Sequence, residues 1–364
     1  MAYTTINKST DNFNTKLYTG TASTSGDTQA VTGVGFQPDW VWIKNRDGAY
    51  QHVLFDSVRG VNKEIRSSQT NAEVDSGTNG YLSAFNSDGF TTTRGTNTGN
   101  HVNVSGSGFV SWNWKAGTTG SGNTSGSGTY KTYSYSVNTT AGFSIVKYTG
   151  NGTAGQQIPH HLGTIPQMII VKNLSDSAGQ SWNVYHHKVD ASNPQNYTIF
   201  FNSNSARSDE QVWNDYSPTS TVFQIGSARK TNYNDDNYIA YCFAEKTGYS
   251  KFGSYTGNGS ADGTFVYTGF KPAFIVQKST AISANWPLWD STRNISNVSH
   301  KVLNVDLSDA EYTSADGVVG IDILSNGFKM RDNNATRNQS GQTYIYMAFG
   351  QTLVGSNNVP ATAR

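Results

Sequence analysis

The chain repeats itself three times, and that repetition limits what it can fold into more than any other feature. A Tyr-Thr-Gly triplet stands at Tyr18–Gly20, Tyr148–Gly150 and Tyr255–Gly257. Each triplet is followed, 20, 18 and 17 residues after its Tyr, by Pro38, Pro166 and Pro272. Each Pro opens an apolar run that closes six residues later on a lysine: Lys44, Lys172 and Lys278. The runs read PDWVWIK, PQMIIVK and PAFIVQK. Each unit then ends on a second matching run: Phe109–Trp114 (FVSWNW), Tyr238–Phe243 (YIAYCF) and Tyr344–Phe349 (YIYMAF). A period of roughly one hundred residues implies three related modules rather than one large active-site fold.

The closing runs carry the clearest physics. Val110, Trp112 and Trp114 alternate with Phe109, Ser111 and Asn113. The corresponding first set is Ile239, Tyr241 and Phe243 in the second unit, and Ile345, Met347 and Phe349 in the third. A period of two places each first set on one side of a strand, and that side should face a core. The Pro-opened runs are apolar on both sides, which predicts central strands covered on both faces, with the Pro at a position where its missing N–H does no harm. Units one and three share the strings Phe55-Asp56-Ser57-Val58-Arg59 and Trp289-Asp290-Ser291-Thr292-Arg293, where unit two has Tyr185-His186-His187. They also share the turns Ser87-Asp88-Gly89-Phe90 and Ser325-Asn326-Gly327-Phe328, since Asp-Gly and Asn-Gly are strong hairpin signals. Short helical turns are expected only near Asn71–Glu73 and Ser308–Glu311.

Composition supports a β-rich reading. Hydrophobic residues make up 35% and charged residues 14%, and the shortfall is filled by turn formers, while 20 Tyr, 17 Phe and 8 Trp supply core material. The expectation is an all-β chain of three related antiparallel β-sandwich, jelly-roll-like units in tandem. Its parts are an N-terminal arm (1–15), repeat one (16–116), a flexible Gly/Ser-rich linker (117–140), repeat two (141–247), repeat three (248–351) and a polar tail (352–364). A net charge of +1 argues against nucleic acid as the main partner, since the sequence holds no basic stripe to neutralise phosphates. No run is long enough for a membrane-spanning helix, and the first residues lack a signal-peptide h-region. Cys242 stands alone, which excludes an intrachain disulfide framework; its place in a closing run predicts a buried thiol.

Two sets of residues invite a functional reading. Trp182, Trp213, Tyr216, Trp286 and Trp289 lie outside the core runs and would suit sugar stacking if exposed, although Trp182 and Trp286 occupy equivalent places, which favours a core role. Asn234, Asp235 and Asp236 sit in an oxygen-rich stretch (NYNDDN) of the kind that binds Ca²⁺, but without EF-hand spacing. The pairs His160-His161 and His186-His187 could each offer at most one ligand to a given site, because neighbours on a strand face opposite ways. Asp56 with Arg59, and Asp290 with Arg293, read as structural ion pairs at strand ends. Glu73 and Glu311 show no spacing that would mark a carboxylate pair for glycoside cleavage.

The strings Ala141–Asn173 and Tyr238–Pro272, with MAYTT, LYTGT and FQPDWVWIKNR near the start, resemble a repeat domain of virion structural proteins from tailed bacteriophages, notably those of marine bacteria and cyanobacteria. The resemblance covers nearly the whole chain. It implies a non-enzymatic particle component without a cofactor: a tail fibre, a spike or a capsid-surface decoration protein. Such a protein would be made in the host cytoplasm and reside in the virion. It would contact other virion proteins and form a homo-oligomer, a trimer by analogy, with no nucleic acid or membrane insertion. The alternative is a lectin-like tail protein that recognises a bacterial surface glycan.

Overall fold

The computed structural model describes residues 4–75, 77–313 and 320–352. It is all-β, with every pair of neighbouring strands in its sheets antiparallel. Three large sheets carry the three repeats. In repeat one the spatial order is Phe13–Thr19, Gly108–Trp114, Trp40–Asn45, Val53–Asp56, Lys63–Arg66, Val74–Asp75. Repeat three has the same order: Ser250–Thr256, Thr343–Thr352, Phe270–Ser279, Pro287–Asp290, Lys301–Asn304, Tyr312–Thr313. Repeat two matches it from Phe143–Thr149 through Asn237–Phe243 and Met168–Asn173 to Ser208–Asp209. A three-stranded sheet accompanies each large one. The polar tail lies outside the described residues except for Thr352.

The Tyr-Thr-Gly triplet has one physical role in all three copies. The rings of Tyr18, Tyr148 and Tyr255 each stack at 5.1 Å on the first aromatic residue of the closing run: Phe109, Tyr238 and Tyr344. Their hydroxyls donate to the backbone carbonyls of Val102, Thr231 and Arg337 in the segment before that run. The glycine is required by closeness. A Cβ on Gly20, Gly150 or Gly257 would lie 2.1, 2.3 or 2.3 Å from a carbonyl oxygen of the same segment, Val104, Tyr233 or Gln339. The triplet therefore pins the start of each repeat to its end.

The closing strands are buried on both faces. Val110, Trp112, Trp114, Ile239, Tyr241, Phe243, Ile345, Met347 and Phe349 all join one hydrophobic cluster shared by the three repeats. Their opposite faces enter separate clusters, one per repeat: Phe109 in the first, Tyr238, Ala240 and Cys242 in the second, Tyr344, Tyr346 and Ala348 in the third. The Pro-opened strands divide the same way, with Trp40, Trp42, Met168, Ile170, Phe274 and Val276 pointing into the shared core. Rings from different repeats meet there: Trp40 stacks on Tyr241 at 4.5 Å, Phe243 meets Phe349 at 5.9 Å, and Trp114 meets Phe349 at 5.7 Å. Such pairs contribute about 0.5–1.5 kcal/mol each beyond burial.

Polar contacts between repeats follow a cycle. Trp182 Nε1 of repeat two donates to the Arg66 carbonyl of repeat one, and Trp286 Nε1 of repeat three to the Phe200 carbonyl of repeat two, both at 2.9 Å. His52, their counterpart in repeat one, faces the Asn304 backbone of repeat three without reaching hydrogen-bond geometry. The acceptors Arg66, Phe200 and Asn304 each end the equivalent strand. The lysines that close the Pro-opened runs are buried and bind carbonyls. Lys172 Nζ reaches the Thr70 carbonyl of repeat one at 2.7 Å, and Lys278 Nζ the Asn204 carbonyl of repeat two at 3.2 Å. Lys44 binds the Asn45 and Gly48 carbonyls, near Asp309 of repeat three. Burial pushes Lys44 and Lys172 down to about 7 and Lys278 to about 8.

Two expectations change. Residues 117–140, read as a linker, carry the strands Thr118–Asn123, Ser125–Gly126 and Thr132–Asn138. The glycines are there because tyrosine rings cross them: Gly120 pairs with Tyr135 and Gly122 with Tyr133, and a Cβ on either glycine would sit 2.6 or 2.9 Å from the facing hydroxyl oxygen. No helix forms at Asn71–Glu73 or Ser308–Glu311. These matched segments instead bring Glu73 to Arg59 at 3.1 Å and Glu311 to Arg293 at 3.0 Å.

Inside the shared core, Tyr241 donates to the buried Asp56 carboxylate of repeat one at 2.7 Å. Tyr241→Phe should cost about 2 kcal/mol, as expected for a hydrogen bond to a charged group, and calorimetry should show all three repeats still melting in one shifted transition. A second transition that keeps the wild-type temperature would refute the coupling. Because the three lysines hold fewer protons when folded than when unfolded, stability should rise with pH from about 7 to the ordinary lysine value of 10.5. Buried tyrosines such as Tyr249, raised by desolvation, oppose this rise above pH 10. Urea midpoints at pH 7, 8.5 and 9.5 test the slope.

Candidate functional site

The ion pairs that stood out in the sequence are welds. Asp56 with Arg59 and Asp290 with Arg293 are fully buried side-chain pairs. Each guanidinium also binds a carbonyl of its own sheet, from Leu54 or Leu288, and each aspartate receives a donor from the next repeat in the cycle: Tyr241 on Asp56, and Trp112 Nε1 on Asp290 at 3.0 Å. In repeat two the aspartate position is His186, and the residue equivalent to Tyr241 and Trp112 in repeat three is Met347, which has no donor. The His186 Nε2–H donates instead to the Tyr346 carbonyl at 3.2 Å.

The tryptophans chosen for sugar stacking are interior. Trp182, Trp213, Trp286 and Trp289 are 0 to 2% exposed. Trp182 and Trp286 join the shared core, while Trp213 and Trp289 fill the separate cores of repeats two and three. A ring without an open face cannot stack on a sugar, so of this group only Tyr216, 39% exposed, keeps one. Trp40, Trp42, Trp112 and Trp114 are likewise sealed. The Asn/Asp stretch is a turn in which Asp235 (φ 67°) pairs with Lys131 at 2.6 Å and Asp236 accepts from Asn173. Asn234 donates to Asp235. Among the described residues no cluster of three or more His, Cys, Asp or Glu side chains could hold a metal. His160 and His161 are separately engaged, with the Thr219 carbonyl and the Tyr133 hydroxyl. Cys242 is buried, and desolvation raises its thiol.

Among the described residues the structure opens at the junction of repeats two and three, as well as in a 320 Å³ recess along Thr132–Ser134 and Lys147–Thr149. A groove of 560 Å³ runs between His187–Ala191 and Arg207 on one side and Ser254–Thr256 on the other. It continues into a 450 Å³ recess that shares His187, Lys188, Ser254 and Tyr255 and reaches Phe265 and Tyr267. His187 fixes its inner end, donating from Nε2 to the Phe252 carbonyl at 2.6 Å. Arg207 is held by Asp190 at 3.0 Å and lies 4.5 Å over the Tyr197 ring. Asp190 is held low by the backbone N–H groups of Asn193 and Ser192. Glu245 pairs with Lys251 at 3.3 Å. Lys188 is exposed and has no ion pair among the described residues. Phe265 and Tyr267, 45% and 54% exposed, flank the buried Val266.

This arrangement offers fixed charge, hydroxyls and two aromatic faces; both groove carboxylates among the described residues are already paired. The aromatic pair had a readable signal. Val266 occupies the place of Val31 and Ile158, each opposite a phenylalanine (Phe90, Phe223, Phe328), so Phe265 and Tyr267 stand where the other repeats have Ala30 and Thr32 or Gln157 and Pro159. Aromatic rings occur there in one copy of three.

The chain belongs to the family described as Domain of unknown function (DUF7483), whose model matches residues 8–352 in a single span across all three repeats. No curated protein and no solved structure matches it.

Desolvation lowers His186 to about 3 and also lowers His187, and both donate to carbonyls of repeat three. A histidine whose folded value lies below its unfolded value takes up its proton on unfolding, so the junction should lose stability as pH falls below 6.5. The slope is about 1.4 kcal/mol per pH unit for each fully suppressed histidine. His186→Gln, which keeps a donor without titrating, should flatten the urea-midpoint profile between pH 6.5 and 4. An unchanged slope would refute the assignment.

Proposed function

We propose that this member of the DUF7483 family is a non-enzymatic structural component of a bacteriophage particle, a tail fibre, spike or capsid-surface decoration protein, that works through assembly contacts. The reading starts from the likeness of Ala141–Asn173 and Tyr238–Pro272 to phage virion repeats. The observation that carries it furthest is the shared core, in which three repeats bury one face each against the others. A block welded at its centre keeps its outer strands and grooves in fixed mutual positions, as an assembly part must. Each large sheet with its small partner is read as one jelly-roll-like sandwich unit in a tandem of three.

On this reading the partners are other virion proteins and further copies of the chain, and its place is the virion after synthesis in the host cytoplasm. The trimer expected from analogy acquires a specific form: three repeats already surround one core within one chain, and a trimer of chains would be a second level of assembly. Cryo-electron microscopy of purified particles should show density that fits the three-repeat block, with peptides of this chain found in the same particles by mass spectrometry. Peptides present only in infected-cell lysate and absent from particles would overturn the proposal.

A glycan-binding role has one specific support, the exposed Phe265 and Tyr267 beside Lys188. Under that reading, Phe265→Ala with Tyr267→Ala should lower retention on immobilised host polysaccharide at least tenfold without moving the melting temperature. Equal retention would remove it.

A further inference from the structure

The three repeats have equivalent open-ended edges, and the chain fills those of one repeat itself. The first strands of the repeats' common order are Phe13–Thr19, Phe143–Thr149 and Ser250–Thr256, aligned by their stacked tyrosines; the first and third are sheet edges, and the second would be one without the strands added to it. On Phe143–Thr149 the chain adds Thr132–Asn138 in continuous register, from Tyr133 opposite Tyr148 to Asn138 opposite Phe143. The same segment adds Ser125–Gly126 to the edge of the small sheet at Gln156–Gln157. In repeat three the corresponding edges, Ser250–Thr256 and Phe265–Tyr267, carry no added strand among the described residues, and both border the groove described above.

The backbone there is set to receive one. His187 on the Phe252 carbonyl shows that Phe252 turns its polar groups away from its neighbour strand; by alternation Ser254 does the same. In the small sheet, Met330 N–H binds the Thr264 carbonyl and Thr268 N–H the Asn326 carbonyl, so Phe265 and Tyr267 point theirs outward. Phe265 stands where Gln157 pairs with the added strand in repeat two. Unpaired edge groups are a template for a further strand.

We propose that the repeat two–three groove is a strand-docking site that takes an extended segment of a separate polypeptide, paired to Ser254 on one side and reaching Phe265 and Tyr267 on the other. The intramolecular precedent states its chemistry: alternating small and aromatic residues, as in TYSYSVN (Thr132–Asn138), with small side chains toward His187. The Lys188 ammonium, which has no ion pair among the described residues, adds a preference for a carboxylate beside that stretch. His187, bonded to Phe252, marks where the added strand stops. The proposal deepens the assembly reading and rests on it only for the identity of the partner, so failure here leaves the search of particles unaffected.

The test uses the full chain and a synthetic peptide with the sequence of residues 117–138. Hydrogen exchange should slow at least tenfold at the amides of Ser254, Phe265 and Tyr267 when peptide is added, with no such change for a scrambled peptide. Ser254→Pro removes an outward N–H at an edge where proline is tolerated; it should keep the wild-type melting temperature and lose the protection at the two amides still readable, Phe265 and Tyr267. If Ser254→Pro melts early, Phe265→Pro gives the test from the small sheet, read at the Ser254 and Tyr267 amides. Absence of peptide-induced protection would overturn the proposal, as would equal protection in the proline variants or amides already slow without peptide. Protection that rises with protein concentration alone, together with a doubled mass in light scattering, would overturn it in favour of a second copy.

Discussion

Everything in this fold depends on the closing strand of each repeat being buried twice. A strand with one wet face would need only its own small sheet as a partner, and three such units could be strung like beads. Here Val110, Trp112 and Trp114, with their counterparts, turn their second face toward the other repeats. The apolar area on that face is too large to leave in water, so no repeat can satisfy its strands alone. The single span of the family match over residues 8–352 agrees with one indivisible unit.

Placing Asp56 and Asp290 in so dry a centre is costly unless each charge is fully matched. Each has an arginine from its own repeat and a donor from the next, and each arginine has a glutamate and a carbonyl. Repeat two shows the rule by its exception. Where the neighbour supplies Met347, which cannot donate, the aspartate is missing and a histidine takes its place, bonded to the backbone beside that methionine. Acid and donor are present together or absent together, as expected if neither can be buried alone.

The parts of this architecture with local causes were legible in the sequence. Period-two alternation placed Val110, Trp112 and Trp114 on one face, and the doubly apolar Pro-opened runs marked central strands. Contacts between distant residues were not legible. Nothing near Lys172 announces the Thr70 carbonyl, and nothing near Trp182 announces Arg66, so the tryptophan could as well have been a sugar platform. Composition misled at residues 117–140, because glycine opposite a tyrosine ring and glycine in a free chain look the same in one dimension. It misled again at Asn71–Glu73 and Ser308–Glu311, whose matching positions reflect a shared arginine rather than a shared helical turn. The groove of repeats two and three stayed hidden because its walls come from segments dozens of residues apart; only Phe265 and Tyr267 departed visibly from the other copies.

The strands inserted between repeats one and two break a symmetry that the shared core would otherwise impose. A ring of three identical subunits must display every surface three times, and any neighbour that fits one position fits all of them. A single chain with three diverged repeats displays each surface once. Because one junction is already occupied from within, the remaining positions become distinguishable from one another. The molecule thus has the geometry of a trimer and the addressability of a monomer: each of its sides presents a different surface.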